Sequence, residues 1–197
     1  MAKRSSERVD QRGDDIASFD GLLQQNIGMV KFTAVFLGLL WLFSYLYGSL
    51  FLHSVWFENY VDFSVGLITS LLTASGEIIE LVRLDNGVLS ELRTHDNASV
   101  VFDASTDGLS IMFTLLAAII AWPGNLLKKA MAVFLGLSIL FLLNIVRVSA
   151  MLKVNVYLPL KMNLLNDWVL PGLLVCSAAL VFLIWIKASG RHPLESR

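Results

Sequence analysis

Asn144 and Arg147 stand three residues apart inside Ala130–Leu152, a run dominated by Leu, Ile, Val and Phe. A guanidinium in a membrane helix costs about 2.5–3.5 kcal/mol on insertion scales, so it marks a functional position by default. The spacing puts both side chains on one helical face, where the amide can hold the guanidinium in one orientation. A guanidinium so held suits a carboxylate, or the oxyanion that develops when a carbonyl is attacked. Two further polar groups precede apolar runs: Thr106 and Asp107 before Gly108–Trp122, and Asn166 and Asp167 before Trp168–Ile186. The free N–H groups and positive dipole end of a helix start favour an oxyanion as well. A threonine hydroxyl attacks only when a base takes its proton, and an exposed aspartate with a pKa of about 3.9 is a weak base. Asparagine neither accepts nor releases a proton at neutral pH.

Each of these residues also has a structural reading. Thr106, Asp107, Asn166 and Asp167 are all good helix N-caps. Arg147 can snorkel towards headgroups with no ligand at all. Asn144 is harder to set aside, because an amide inside a membrane helix wants a partner. Cys176, the one cysteine of the chain, opens a Cys-Ser-Ala run, yet it lies about 12 Å along its helix at 1.5 Å per residue. Apolar surroundings there keep a thiol protonated, so it reads as structural. His95 in a polar segment and His53 at the end of the first apolar run are the candidate bases; His192 falls on the opposite side of the membrane.

The elements that must position these groups are membrane helices. The 197 residues are 56% hydrophobic and 16% charged, with a mean hydropathy of +0.68. A soluble domain carries about a quarter charged residues, so the composition is that of an integral membrane protein of one domain. The net charge of −1 comes without a dense basic patch, which excludes nucleic acid as a partner. No metal cluster, phosphate loop or cofactor motif is present. Residues 1–27 form a polar tail with Lys3, Arg4, Arg8 and Arg12, without the layout of a cleaved signal peptide. Val30–Leu52 is the first spanning run, and Phe57–Ser75 is weaker, with Glu58, Asp62 and Gly66. Three further runs, Gly108–Trp122, Ala130–Leu152 and Trp168–Ile186, are expected to span, followed by a cytoplasmic tail over 188–197.

Between them, 76–105 reads as strands: Ile78–Leu84, the turn Asp85-Asn86-Gly87, Val88–Arg93 and Val100–Phe102. Asn-Gly between such runs signals a hairpin. Asn97-Ala98-Ser99 matches a glycosylation sequon, a pattern too short to carry weight. Basic residues in the N-terminal tail, at Lys128-Lys129 and at Lys187 and Arg191 place both termini in the cytoplasm. Both termini inside require an even number of crossings. The expected fold is therefore all-α and polytopic: four transmembrane helices, with Phe57–Ser75 as an interfacial or re-entrant segment, and a small extracytoplasmic hairpin. The alternative is that Phe57–Ser75 crosses and the N-terminus lies outside, against its four basic residues. Arg147 then lies about 7–8 Å below the outer end of its helix, at the level of Thr106, Asp107, Asn166 and Asp167.

Over most of residues 30–187 the chain resembles the exosortase/archaeosortase family of membrane transpeptidases, and most closely its exosortase H branch. In that branch a Gly-Cys-(Asn/Asp)-Gly loop enters an apolar helix ending in an aromatic–Pro pair. Here the stretch is Ser105-Thr106-Asp107-Gly108, and the helix ends in Trp122-Pro123. The family's next helix carries Asn-x-x-Arg, matched by Asn144-Ile145-Val146-Arg147, and its last helix opens on a His, where this chain has Asn166-Asp167-Trp168. The resemblance implies a multi-pass protein of the cytoplasmic (inner) membrane with its site at the outer face. Such proteins recognise the C-terminal sorting tail of exported proteins, cleave it and transfer the new carboxyl end. The family triad is Cys, Arg and His; here the positions are Thr106, Arg147 and Asn166, so only the arginine remains.

Three functions follow. The first is a catalytically silent homologue that still binds the tail through Asn144, Arg147 and the neighbouring Asp107, Gly108 and Asp167, alone or beside an active sortase-type enzyme. The second is a divergent peptidase/transpeptidase with Thr106 as nucleophile, Arg147 as oxyanion stabiliser and His95 or His53 as base. The third is a structural subunit whose polar corner is packing. Comparable losses of nucleophile and base cost on the order of 10⁶ in rate, which favours the first.

Overall fold

The computed structural model describes residues 27–83, 90–95, 98–104, 106–158, 160 and 164–189, without the side chains of Arg83 and Asn166. The N-terminal tail, the Asp85-Asn86-Gly87 turn, Asn97, Ser105, Arg191 and His192 lie outside these residues. The protein is mostly helical, with a small antiparallel sheet. Three helices are long and apolar enough to cross a membrane: Ile27–Phe51, Leu126–Tyr157 and Asp167–Ser189. We call the first α1; its last turn, Tyr47–Phe51, is π-helical. Next come α2 (Val55–Ala74), β1 (Ile79–Arg83), β2 (Ser90–Thr94), β3 (Ser99–Phe102), α3 (Leu109–Ala121) and α4 (Leu126–Tyr157). A π-helical turn, Leu165–Val169, leads into α5 (Leu170–Ser189).

The segment with Glu58 and Asp62 forms a continuous amphipathic helix. Ser54 caps it, its hydroxyl accepting from the Phe57 amide at 3.3 Å. Phe57, Val61, Ser64, Val65, Ile68 and Leu72 are buried, and their spacing makes one face. Its end is a glycine stop: Gly76 takes φ +89°, its amide bonds the Thr73 carbonyl, and the Glu77 amide reaches back to Leu72. The meander β1–β2–β3 then folds over the end of α2, with Leu92 and Phe102 fully buried. Where a hairpin and a further strand were expected, the third strand completes one sheet, pairing Leu92 with Val100 and Ser90 with Phe102.

Contacts fix the direction of each helix. Phe32 packs on Trp122 and Phe43 on Phe113, so α1 and α3 are antiparallel. Lys129 Nζ donates to the Ile120 carbonyl at 2.8 Å while Gly108 meets Asn144, so α3 and α4 are antiparallel. Phe141 meets Tyr60 and Phe63, and the Tyr157 hydroxyl donates to Glu77 Oε1 at 3.0 Å, so α2 runs parallel to α4. Thus α1 and α2 travel the same way, and α2 does not return the chain across the bundle. Ile27 and Ser189 lie at one end, where the rings of Phe32 and Phe182 stack at 6.4 Å.

The boundaries of α4 differ from the sequence expectation. α4 has 32 residues, about 48 Å at 1.5 Å each, well beyond a hydrocarbon core of about 30 Å. Its added C-terminal turns hold polar Lys153 and Asn155, and Asn155 Nδ2 donates to the Ser99 carbonyl at 3.0 Å. Tertiary contact extends the helix where hydropathy ends it. α3 has 13 residues, about 20 Å, shorter than the core.

Candidate functional site

The loop between β3 and α3 is tied to three helices. Tyr47, in the last turn of α1, donates its hydroxyl to Asp107 Oδ2. Tyr60 of α2 donates to the Asp107 carbonyl at 2.7 Å. Asn144 of α4 donates Nδ2 to the carbonyls of Thr106 (3.1 Å) and Asp107 (2.9 Å). Asp107 Oδ1 accepts from the Leu109 amide at 2.8 Å, closing a turn at the entry to α3, whose N-cap is Gly108. Gly108 makes the entry possible: it has φ +75°, and a Cβ there would sit 2.7 Å from Asn144 Cγ. Asp107 and Asn144 are each only 1% exposed.

Thr106 takes part through its backbone. Its hydroxyl is buried and turned away: Oγ1 accepts from the Asp103 amide at 2.8 Å and donates within the same turn, the Val101 carbonyl lying 3.1 Å away. The Thr106 amide donates to Asp103 Oδ1 at 3.1 Å, closing the turn from both sides.

Arg147 is half-buried on α4. Its Nη1 donates to Asn144 Oδ1 at 3.4 Å, and its Nε is buried without a hydrogen-bond partner. The side chain borders a cavity of about 130 Å³ between α4 and α5, lined also by Leu143, Val146, Leu170, Leu174 and Ser177. A buried donor left unpaired costs about 1–3 kcal/mol, more when charged, so Arg147 has hydrogen-bonding capacity to give a ligand. Asn144 has none in its donors, both being used by the loop.

The α5 end contributes less than the sequence suggests. Asn166 and Asp167 fall within the π-helical turn, not at a capping position, and the Asp167 side chain is exposed. The cavity begins one turn later, at Leu170. His53 and His95 are exposed in turns, and Cys176 is exposed on α5. The structure thus brings together Thr106 (by its carbonyl), Asp107, Gly108, Asn144 and Arg147, and leaves Asp167 outside. Tyr47 and Tyr60 belong to the cluster and were missed; the signal was a phenol in an apolar helix, which seeks a partner.

Burial raises the Asp107 pKa to about 6, opposed by the hydroxyl of Tyr47, the Leu109 amide and the charge of Arg147. The folded pKa lies above the unfolded value of about 3.9, so the folded state holds the extra proton between these values. Stability is therefore greatest below pH 4 as far as this group is concerned, and falls as pH rises to about 6, by up to about 3 kcal/mol. Asp107→Asn keeps the oxygen that accepts from the Leu109 amide and has no such titration. Unfolding midpoints in detergent between pH 4 and 7 should show the wild type losing stability relative to Asp107→Asn. Parallel curves would refute the assignment.

Compared with family models, curated proteins and solved structures, the chain matches none.

Proposed function

We propose that this is an exosortase-like membrane protein that binds the C-terminal membrane tail of exported proteins without cleaving it. Arg147 grips a carbonyl or carboxylate of the tail where the cavity opens between α4 and α5. The observation that carries this reading is the buried, unpartnered Nε of Arg147 bordering that cavity. The engaged, buried hydroxyl of Thr106 favours a silent homologue over a threonine peptidase.

The same reading orients the chain in the cytoplasmic membrane. Among the described residues, Lys31, Lys128, Lys129 and Lys187 share the end that holds Ile27 and Ser189. The described acids lie in α2, at Glu77, in the sheet, the loop before α3 and the turn before α5, none of them at that end. Lysine-rich ends face the cytoplasm, so both termini are cytoplasmic and the site faces outward. Four crossings result, by α1, α3, α4 and α5, with α2 and the sheet standing at the outer interface beside the protruding end of α4. The short α3 reaches the outer level through the buried loop that Asn144 and Asp107 hold.

The test uses the full chain in nanodiscs and a fluorescent synthetic tail: a polar hexapeptide, a 20-residue Leu/Ala segment and a Lys-Arg end. The wild type binds saturably and leaves the peptide intact by mass spectrometry. Arg147→Ala weakens binding at least about tenfold, since a charged hydrogen bond contributes about 1.5–3 kcal/mol. Arg147→Lys, with charge but no fork, falls between. Cleavage by the wild type that Thr106→Val abolishes would establish the peptidase instead, and equal binding by Arg147→Ala would remove the gripping role.

A further inference from the structure

A second cavity lies on the same α4/α5 seam, towards the end that holds Ile27 and Ser189. It measures about 360 Å³ and is lined by Met131, Leu135, Ile139, Val181 and Trp185, with Lys128 at its rim. That volume falls within the usual range of about 300–1,000 Å³ for small-molecule sites. Counting along α4, Lys128 lies about 28 Å from Arg147 at 1.5 Å per residue, so this cavity is separate from the outer site.

Three observations bear on what fills it. The walls are apolar for two turns of each helix, which suits a hydrocarbon chain. Lys128 is exposed at the mouth, and Lys31, Lys129 and Lys187 share this end, with no described acid to neutralise them. Trp185 is only 8% exposed, and its indole N–H has no hydrogen-bond partner. A single apolar chain matches the walls, and an anionic head group matches the lysines and offers the acceptor that Trp185, placed beside Gly124 at this end, lacks. A client's tail does not: its basic end would meet these lysines as like charges.

We infer that the α4/α5 cavity at the Lys128 end is a binding site for one anionic phospholipid. An acyl chain lies between Met131, Ile139 and Val181, and the phosphate lies at Lys128. Anionic lipids are concentrated in the cytoplasmic leaflet, the one this end faces in the proposed orientation. The site itself rests on the groove and its charge, and stands whether or not the outer site binds a tail.

The experiment is native mass spectrometry of the full chain, released from detergent micelles holding equal amounts of phosphatidylglycerol and phosphatidylcholine. The wild type should retain one phosphatidylglycerol in preference to phosphatidylcholine. Lys128→Gln, a surface change, should lower that retention about fivefold, the effect of one lysine at an anionic surface, and leave phosphatidylcholine unaltered. Ile139→Trp, which fills the groove, should remove both lipids, and excess glycerol phosphate should displace neither. Equal retention of the two lipids, or retention indifferent to Lys128→Gln in a protein of unchanged unfolding midpoint, overturns the proposal. Displacement by glycerol phosphate would mean a free-anion site, and a diazirine at Ile139 that crosslinks to protein rather than lipid would mean a helix-docking groove. Either result overturns it as well.

Discussion

Gly108→Ala should lower the stability of the protein by about 3–5 kcal/mol, read as the unfolding midpoint in detergent. Two costs combine. The backbone at Gly108 has φ +75°, which an L side chain adopts at a cost of about 1–3 kcal/mol. The new methyl would also lie 2.7 Å from Cγ and 2.8 Å from Oδ1 of Asn144. A free side chain would step aside, but this amide is held by its bonds to the carbonyls of Thr106 and Asp107. Moving it breaks those bonds and withdraws the acceptor that faces Arg147 Nη1. Tail binding should fall in parallel, because the same displacement frees the guanidinium. An alanine variant with the wild-type midpoint would show that the loop enters α3 differently. Gly66→Ala is the control, since a Cβ there meets nothing within 4 Å.

How much of this was legible beforehand divides by distance along the chain. Asn144 and Arg147 are neighbours on one helix, and a three-residue spacing settles their relation without tertiary information. The order of elements follows from hydropathy, and the strands around 79–102 from β-rich runs between polar stretches. The partners of Asn144, by contrast, lie 37 and 38 residues away, and an amide that serves a ligand has the same local sequence as one that staples a loop. The structure assigns the donors of Asn144 to the staple. Thr106 is similar: the local sequence does not show that its hydroxyl closes a turn with Asp103 and Val101. Tyr47 and Tyr60 come from two other helices and meet at Asp107 only through the packing of α1 and α2 against the loop. The C-terminal end of α4 escaped for a different reason. Lys153 and Asn155 end the hydropathy signal, whereas the sheet supplies the contact that keeps the helix going.

Asn144→Ala should destabilise the protein by about 2–4 kcal/mol, and its combination with Gly108→Ala should be less harmful than the sum of the two. The single change removes both donors to the loop. The Thr106 carbonyl loses its Asn144 partner, while the Asp107 carbonyl keeps the hydroxyl of Tyr60. Arg147 loses its acceptor, so its guanidinium gains another unpaired donor beside Nε. In the double variant the methyl at 108 enters the space that the amide left, so the steric part of the Gly108→Ala cost disappears and only the backbone strain persists. The expected coupling is about 0.5–3 kcal/mol in the favourable direction. Asn144→Asp separates the roles further. It keeps an acceptor for Arg147 and removes the donors to the loop, so it should spare the orientation of the guanidinium more than the fold. Strict additivity in the cycle would mean that residues 108 and 144 do not touch, and with that the loop, the cap of α3 and the placement of Arg147 would lose their common support.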